Sequence, residues 1–210
     1  LFFGRKNCEY TNRALQRLKS YGWIVKICLT NSRNKKLTQN ILNWEGDYIF
    51  SFRSYMILPD ILLTKAKKAA INFHPSSAKY RGSGGMNLAL YKNDDEFGCT
   101  AHLMNEKIDS GIIILANKFK IKNEDNIIKL SNKTYESLLS LFFKIISGIN
   151  KNDLSFIKNS IKNSKNIKWG KKLHKISEID KLQKINFNYS EKKIKSIIRS
   201  THTKKYPVFI

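Results

Sequence analysis

The sequence is poor in cysteine, proline and acidic residues, with 3 Cys, 3 Pro and 16 Asp plus Glu in 210 positions. Cys8, Cys28 and Cys99 share no short spacing and sit in apolar surroundings. That excludes a disulfide framework and gives no zinc-ligand pattern, so no metal site is expected. Free thiols fit a reducing, cytoplasmic compartment. No apolar run approaches the ~18 residues a membrane span requires, and Leu1-Phe2-Phe3 is too short for the apolar core of a signal peptide. There is no internal repeat. The chain begins without Met and closes on Val208-Phe209-Ile210, so either end can be a trimmed one.

Arginine is scarce as well. It stands only at 5, 13, 17, 33, 53, 81 and 199, so Lys supplies most of a net charge of +23. Clustered basic residues bind nucleic acid by releasing its counterions, but sites for phosphates and bases favour the planar guanidinium fork. Abundant Lys beside abundant Asn and Ile reads as a solvated surface encoded by AT-rich sequence, and nucleic acid is not the expected partner. A hydrophobic content of 41% over this length is enough for a buried core.

Read along the chain, Leu1 to Gly4 is the end of a buried strand. Tyr10 to Ser20 has helical spacing, and Trp23 to Leu29 reads as a strand. After a polar stretch from Thr30 to Asn40, Asp47 to Phe50 is a short buried strand. Leu58-Pro59-Asp60 opens a helix, and Ala69-Ala70-Ile71 is the next strand. Strand and helix in alternation predict an α/β fold: a mostly parallel sheet with helices on both faces. Met86 to Tyr91 reads as a helix, Gly98 to Met104 and Gly111 to Phe119 as strands, and Glu124 to Ile149 as a helix. The division expected is residues 1–121 as the main domain and 122–210 as a smaller, mostly helical region. The apolar face of the 124–149 helix suggests a homodimer surface, with core packing the plainer alternative.

The stretch from Ile71 to Gly85 carries the chemistry. Asn72 falls where a strand gives way to a loop, at the carboxyl edge where open parallel sheets bind ligands. An Asn amide can stabilise an oxyanion, a His can move a proton near neutral pH, and a carboxylate such as Asp109 can orient that His. Asn72, His74 and Asp109 would together suit attack on a carbonyl carbon by a substrate's own amine. Each also has an ordinary structural reading as a cap or turn residue. Gly82, Gly84 and Gly85 match neither the dinucleotide fingerprint nor a phosphate-binding loop. Lys79 and Arg81 beside them are better candidates for holding an anion.

Asn72-Phe73-His74-Pro75-Ser76, Tyr80-Arg81-Gly82, Gly98-Cys99-Thr100-Ala101-His102 and Asp109-Ser110-Gly111-Ile112-Ile113, with Leu58-Pro59 upstream, resemble the folate-dependent formyltransferases. The resemblance implies a Rossmann-like formyltransferase fold and transfer of a formyl group from N10-formyltetrahydrofolate to a primary amine, with Asn72, His74 and Asp109 catalytic. It implies a pterin pocket lined by Met56, Ile57 and Leu58 and by Asn105, Glu106, Lys107, Ile108 and Asp109, and acceptor contacts at Lys79, Tyr80 and Arg81. Two features depart from the family pattern: the loop at Ser77-Ala78 is shorter, and Ser83 replaces a basic residue. The branch that modifies nucleotide-linked amino sugars is the most similar, through Phe2-Phe3-Gly4-Arg5, Gly46-Asp47-Tyr48-Ile49-Phe50 and Asn87-Leu88-Ala89-Leu90-Tyr91. The tRNA branch carries a further C-terminal β-barrel, whereas residues after 121 read here as helix and loop. The glycinamide branch opens on a Gly-Ser-rich loop, where this chain has bulkier Phe3 to Cys8. A second reading, from the charge, is a non-catalytic basic binding module on the same fold.

Overall fold

A computed structural model describes residues 1–32 and 34–210. Arg33, inside the polar stretch read from the sequence, lies outside the described residues. The elements run β1 (Phe2–Gly4), α1 (Glu9–Ser20), β2 (Ile27–Leu29), α2 (Gln39–Leu42), β3 (Gly46–Phe52), α3 (Asp60–Leu63), β4 (Ala66–His74), β5 (Arg81–Gly82), α4 (Gly85–Tyr91), β6 (Glu96–Leu103), β7 (Ile113–Lys120), α5 (Ile127–Asn163), β8 (Leu173–His174), α6 (Ile176–Leu182) and α7 (Glu191–Thr201).

Six strands form the central sheet in the order β2-β1-β3-β4-β6-β7, and β5 with β8 forms a two-stranded ribbon. The first four strands are parallel. The mostly parallel expectation has one exception, β6, which is antiparallel to both β4 and β7. The register explains why: His74 at the end of β4 pairs with Thr100, so β6 starts beyond the carboxyl edge and runs back. Residues 75–95, including α4, stay at that edge instead of crossing the sheet.

Side chains alternate across the strands and divide the core between two faces. Phe2, Phe50, Phe52, Ile71 and Phe73 pack with Ala14, Leu15 and Leu18 of α1 and with Leu138, Phe142 and Ile145 of α5. Phe3, Ile49 and Ala70 pack on the other face with Ile41 of α2 and Leu62 of α3. Helices therefore cover both faces. A third cluster joins Tyr80, α4, Phe97 and the start of α5 to Ile179 of α6.

Three sequence expectations change. Strand β2 begins at Ile27 instead of Trp23, because β1 offers pairing partners only from Phe2 to Gly4. The short α2 was hidden in polar sequence. Helix α5 continues past Ile149 to Asn163, interrupted at Asp153, whose backbone is non-helical (φ 45°, ψ −133°). Lys68 meets the Asp153 carboxylate at 2.8 Å and Tyr48 donates to it, so partners on β3 and β4 fix the break. The apolar face of α5 packs on the sheet, as the core-packing alternative has it. No helix among the described residues is long and apolar enough to cross a membrane.

Candidate active site

Three segments meet at the carboxyl edge beside β4. Strand β4 supplies Asn72 and, two residues on, His74 on the same face. Strand β6 brings His102 opposite Asn72 in register. The loop between β6 and β7 brings Asp109. That residue adopts a left-handed backbone (φ 43°), which Asp tolerates better than most residues. Arg81 fixes this conformation: its Nε donates to the Asp109 carbonyl at 2.7 Å and its Nη2 to the Ile108 carbonyl at 3.0 Å.

The Asp109 carboxylate is the hub. Its Oδ1 accepts from Asn72 Nδ2 at 3.2 Å and lies 3.3 Å from His102 Nε2. Its Oδ2 accepts the Gly82 amide at 2.9 Å and faces His74 Nδ1 at 3.4 Å. Burial alone would push this carboxyl up. The charge of His74 opposite it, the hydrogen bond and charge of His102, and the Gly82 amide outweigh burial and hold it at about 2. Asp109 is therefore an acceptor-only carboxylate throughout the physiological range.

The histidine protons follow from their partners. A carbonyl only accepts, so His74 Nε2 carries a proton towards the Tyr80 carbonyl (2.9 Å), and His102 Nδ1 one towards the Leu103 carbonyl (2.8 Å). In its imidazolium form His74 then directs Nδ1–H at Asp109. His102 Nε2 can accept from Asn72 Nδ2 at 3.1 Å or, when protonated, donate to Asp109. His74, His102 and Asp109 are buried, while Asn72 is half-buried, so approach from outside comes at the Asn72 amide.

The remaining sequence-predicted residues fall into two groups. Met56 and Leu58 are buried and share an apolar cluster with Met104, which leads into the loop of Asn105, Glu106, Lys107 and Ile108. Ile57 and Ile108 are exposed, at 72% and 39%. The two segments proposed for the pterin thus lie together. Around the turn after His74, the side chains are engaged within the protein. Lys79 binds the Asp94 carboxylate at 2.8 Å, the buried Tyr80 donates its hydroxyl to the same carboxylate, and Arg81 holds the Asp109 loop. Of the three, Lys79 alone has a largely exposed side chain.

Gly82 combines a positive φ of 84° with a close approach, since an added Cβ would lie 2.3 Å from the His174 carbonyl. This is the physical use of one of the three glycines: it lets the Gly82 amide reach Asp109 while β5 pairs with β8.

Two residues of the site were given no role from the sequence. His102 stood within the Gly98–His102 block, but its place opposite Asn72 needs the register. Trp169 lies 58 positions from Gly111, whose carbonyl accepts its indole Nε1–H at 2.7 Å. Its ring meets His102 edge-on at 5.0 Å between centroids and stands 6.1 Å from His74.

The sequence profile of the family described as formyl transferase matches residues 4–146. The chain belongs to the formyl transferase family. Among curated relatives of this formyl transferase, the methionyl-tRNA formyltransferase of Halalkalibacterium halodurans is 32% identical over 126 residues, 60% of this chain and 40% of its own. That of Buchnera aphidicola subsp. Schizaphis graminum is 30% identical over 169 residues, 80% of this chain and 51% of its own. A GDP-perosamine N-formyltransferase from Brucella melitensis is 26% identical over 115 residues, 54% of this chain and 44% of its own. The chain thus spans about half or less of the length of these relatives. Among solved structures, an N-formyltransferase from Helicobacter canadensis, in complex with folinic acid and dTDP-3-aminofucose, superposes with a TM-score of 0.74 at 21% identity. The match covers 99% of this chain and 82% of that one. A 4-N formyltransferase from Francisella tularensis gives 0.71 at 19% identity, covering 98% and 88%. At these identities the structural likeness shows the fold.

Proposed function

We propose that this formyl transferase moves the formyl group of N10-formyltetrahydrofolate to the primary amine of a nucleotide-linked amino sugar. The observation that carries the transfer is the convergence of Asn72, His74 and His102 on the Asp109 carboxylate at one open sheet edge. Family membership supports it.

The substrate amine attacks the formyl carbon and the carbonyl oxygen becomes an oxyanion. Asn72 Nδ2 and the His74 imidazolium are the donors for it. Both now have protein partners: as charge develops the substrate oxygen replaces Asp109 Oδ1 at Asn72 and the Tyr80 carbonyl at His74, whose Nδ1–H stays on Asp109. Asp109, staying ionised, holds His74 in orientation and helps the neutral Nε2 of His102 beside it accept the proton the attacking nitrogen loses. Collapse of the tetrahedral intermediate breaks the bond to N10, which takes up that proton and leaves as tetrahydrofolate. The apolar surface of Ile57 and Ile108, with backbone groups of residues 105–109, is the proposed seat of the pterin.

The acceptor class rests on the tail. Residues 164–201 form β8, α6 and α7 and fold back against the sheet domain, and the superpositions that take in this tail include the N-formyltransferase in complex with folinic acid and dTDP-3-aminofucose. A methionyl-tRNA acceptor is the second reading, favoured by the 30–32% identity to enzymes of that name. Purified protein incubated with N10-formyltetrahydrofolate and a panel of nucleotide-linked amino sugars should release tetrahydrofolate, and Asn72→Ala should cut turnover on the order of a hundredfold. Formylation of methionyl-tRNA alone would replace the acceptor assignment. Unaltered turnover in Asn72→Ala would sink the mechanism.

A further inference from the structure

The family match ends at residue 146, yet the site is fastened by residues beyond it. Ser164 Oγ donates to the Ile114 carbonyl at 2.9 Å, behind the Asp109 loop. Trp169 donates to the Gly111 carbonyl, two residues after Asp109. The Gly170 amide donates to the Ala78 carbonyl at 2.9 Å, on the turn that follows His74. The backbones are so close there that a Cβ on Gly170 would lie 2.1 Å from the Lys79 carbonyl oxygen. His174 O then accepts from the Ser83 amide, and β8 pairs with β5. The first two bonds thus reach the segment that follows Asp109 and the later ones the turn that follows His74, so one stretch of the tail ties the two together.

Trp169 sits at the centre of this strap. Its ring meets both histidines that face Asp109, at 5.0 Å and 6.1 Å between centroids. The perpendicular packing on His102 is a favoured aromatic geometry, and an indole also attracts an imidazolium. His102 is otherwise set by Asn72 from β4, by Asp109 from the loop and by the Leu103 carbonyl of its own strand. His74 is set by Asp109 and the Tyr80 carbonyl. Neither histidine has a hydrogen-bond partner from the tail, so what the tail contributes to both is the indole.

We propose that Trp169 is a positioning residue for formyl transfer, its ring setting the orientation of His102 and His74 and its N–H holding the Asp109–Gly111 loop. This rests on the transfer reading above. Misplacing reacting groups by an ångström can cost on the order of a hundredfold in rate.

The test compares Trp169→Leu, which removes ring and N–H, with Trp169→Phe, which keeps a ring. In Trp169→Leu the turnover number should fall about ten- to a hundredfold with KM for the folate unchanged within about twofold, and Trp169→Phe should restore most of it. In the substrate-free protein, imidazole proton resonances of His74 and His102 should shift in Trp169→Leu, while that of the distant His202 stays in place. A fall in turnover matched by a rise in KM, or Leu and Phe variants with wild-type turnover, overturns the inference. So do unmoved His74 and His102 resonances, whether or not the protein turns over. Wild-type protein that transfers no formyl group, with both histidines still shifted by Trp169→Leu, would instead defeat the transfer reading and leave the positioning of the histidines standing.

Discussion

Asp109 connects the chemistry of the site to the stability of the fold. Its carboxyl is held at about 2, below an ordinary 3.8, so it is ionised in the folded protein at pH values where the unfolded chain would already be protonated. The stabilisation is complete above the ordinary value and is lost as pH falls through the folded one. Asp109→Asn should therefore be less stable than wild type at neutral pH, with a gap that narrows between about pH 4 and pH 2. Urea unfolding at stepped pH measures this, and a gap independent of pH would refute it. The thiols offer a second check. Burial pushes Cys28 up and Cys99 to about 11, whereas at Cys8 the Thr11 hydroxyl and amide and the Arg53 charge outweigh burial and bring the thiol down. Arg53 Nη1 donates to the Cys8 sulfur at 3.2 Å. Iodoacetamide at neutral pH should label Cys8 first, read by peptide mass. At this scale the sequence singled out Asn72, His74 and Asp109 by residue type, and the structure brings the three together. Trp169-Gly170 stood out in the tail without a place, because its contact with Gly111 exists only once the tail folds back.

Among the elements, α5 contributes most to the core. Phe142 lies at ring-centroid distances of 4.8 Å from Phe73 and 5.2 Å from Phe52, and also packs on Phe2 and Phe50. It joins the helix to three strands, one of which carries Asn72 and His74. Phe142→Ala should cost about 3–5 kcal/mol in chemical denaturation, since the cavity is walled by rings that cannot collapse into it. A loss under about 1 kcal/mol would mean the helix can slide over the sheet. This helix was legible in sequence because its apolar spacing persists for several turns. Its extension past Ile149 was not, because the break at Asp153 is made by Tyr48 and Lys68, far away in the chain. The reversal of β6 was equally hidden. A strand's own residues do not record which way it enters a sheet.

For the molecule as a whole, the tail packs against the sheet edge that carries the candidate site. Deleting residues 164–210 would uncover Tyr80, Ile127 and Leu130, which pack with Ile179, and would release the bonds to Gly111 and Ala78. That deletion should abolish transfer even though the profile match to the family ends well before it. A truncated protein with wild-type turnover would show the tail to be dispensable. The sequence suggested a boundary near 121 because composition and strand content change there. Composition does not reveal contacts, and the tail's contacts run to the site.

The strap from Ser164 to His174 also has a consequence in time. A ribosome makes the sheet, both histidines and Asp109 well before it makes Trp169 and Gly170. While the chain is still being synthesised, the earlier segments can pair and collapse, but the loops around Asp109 have nothing to tie them. If the strap holds the site as proposed, competence for catalysis would arrive late in translation, with the segment that closes it, and a nascent chain stalled before it would be folded in large part and chemically idle.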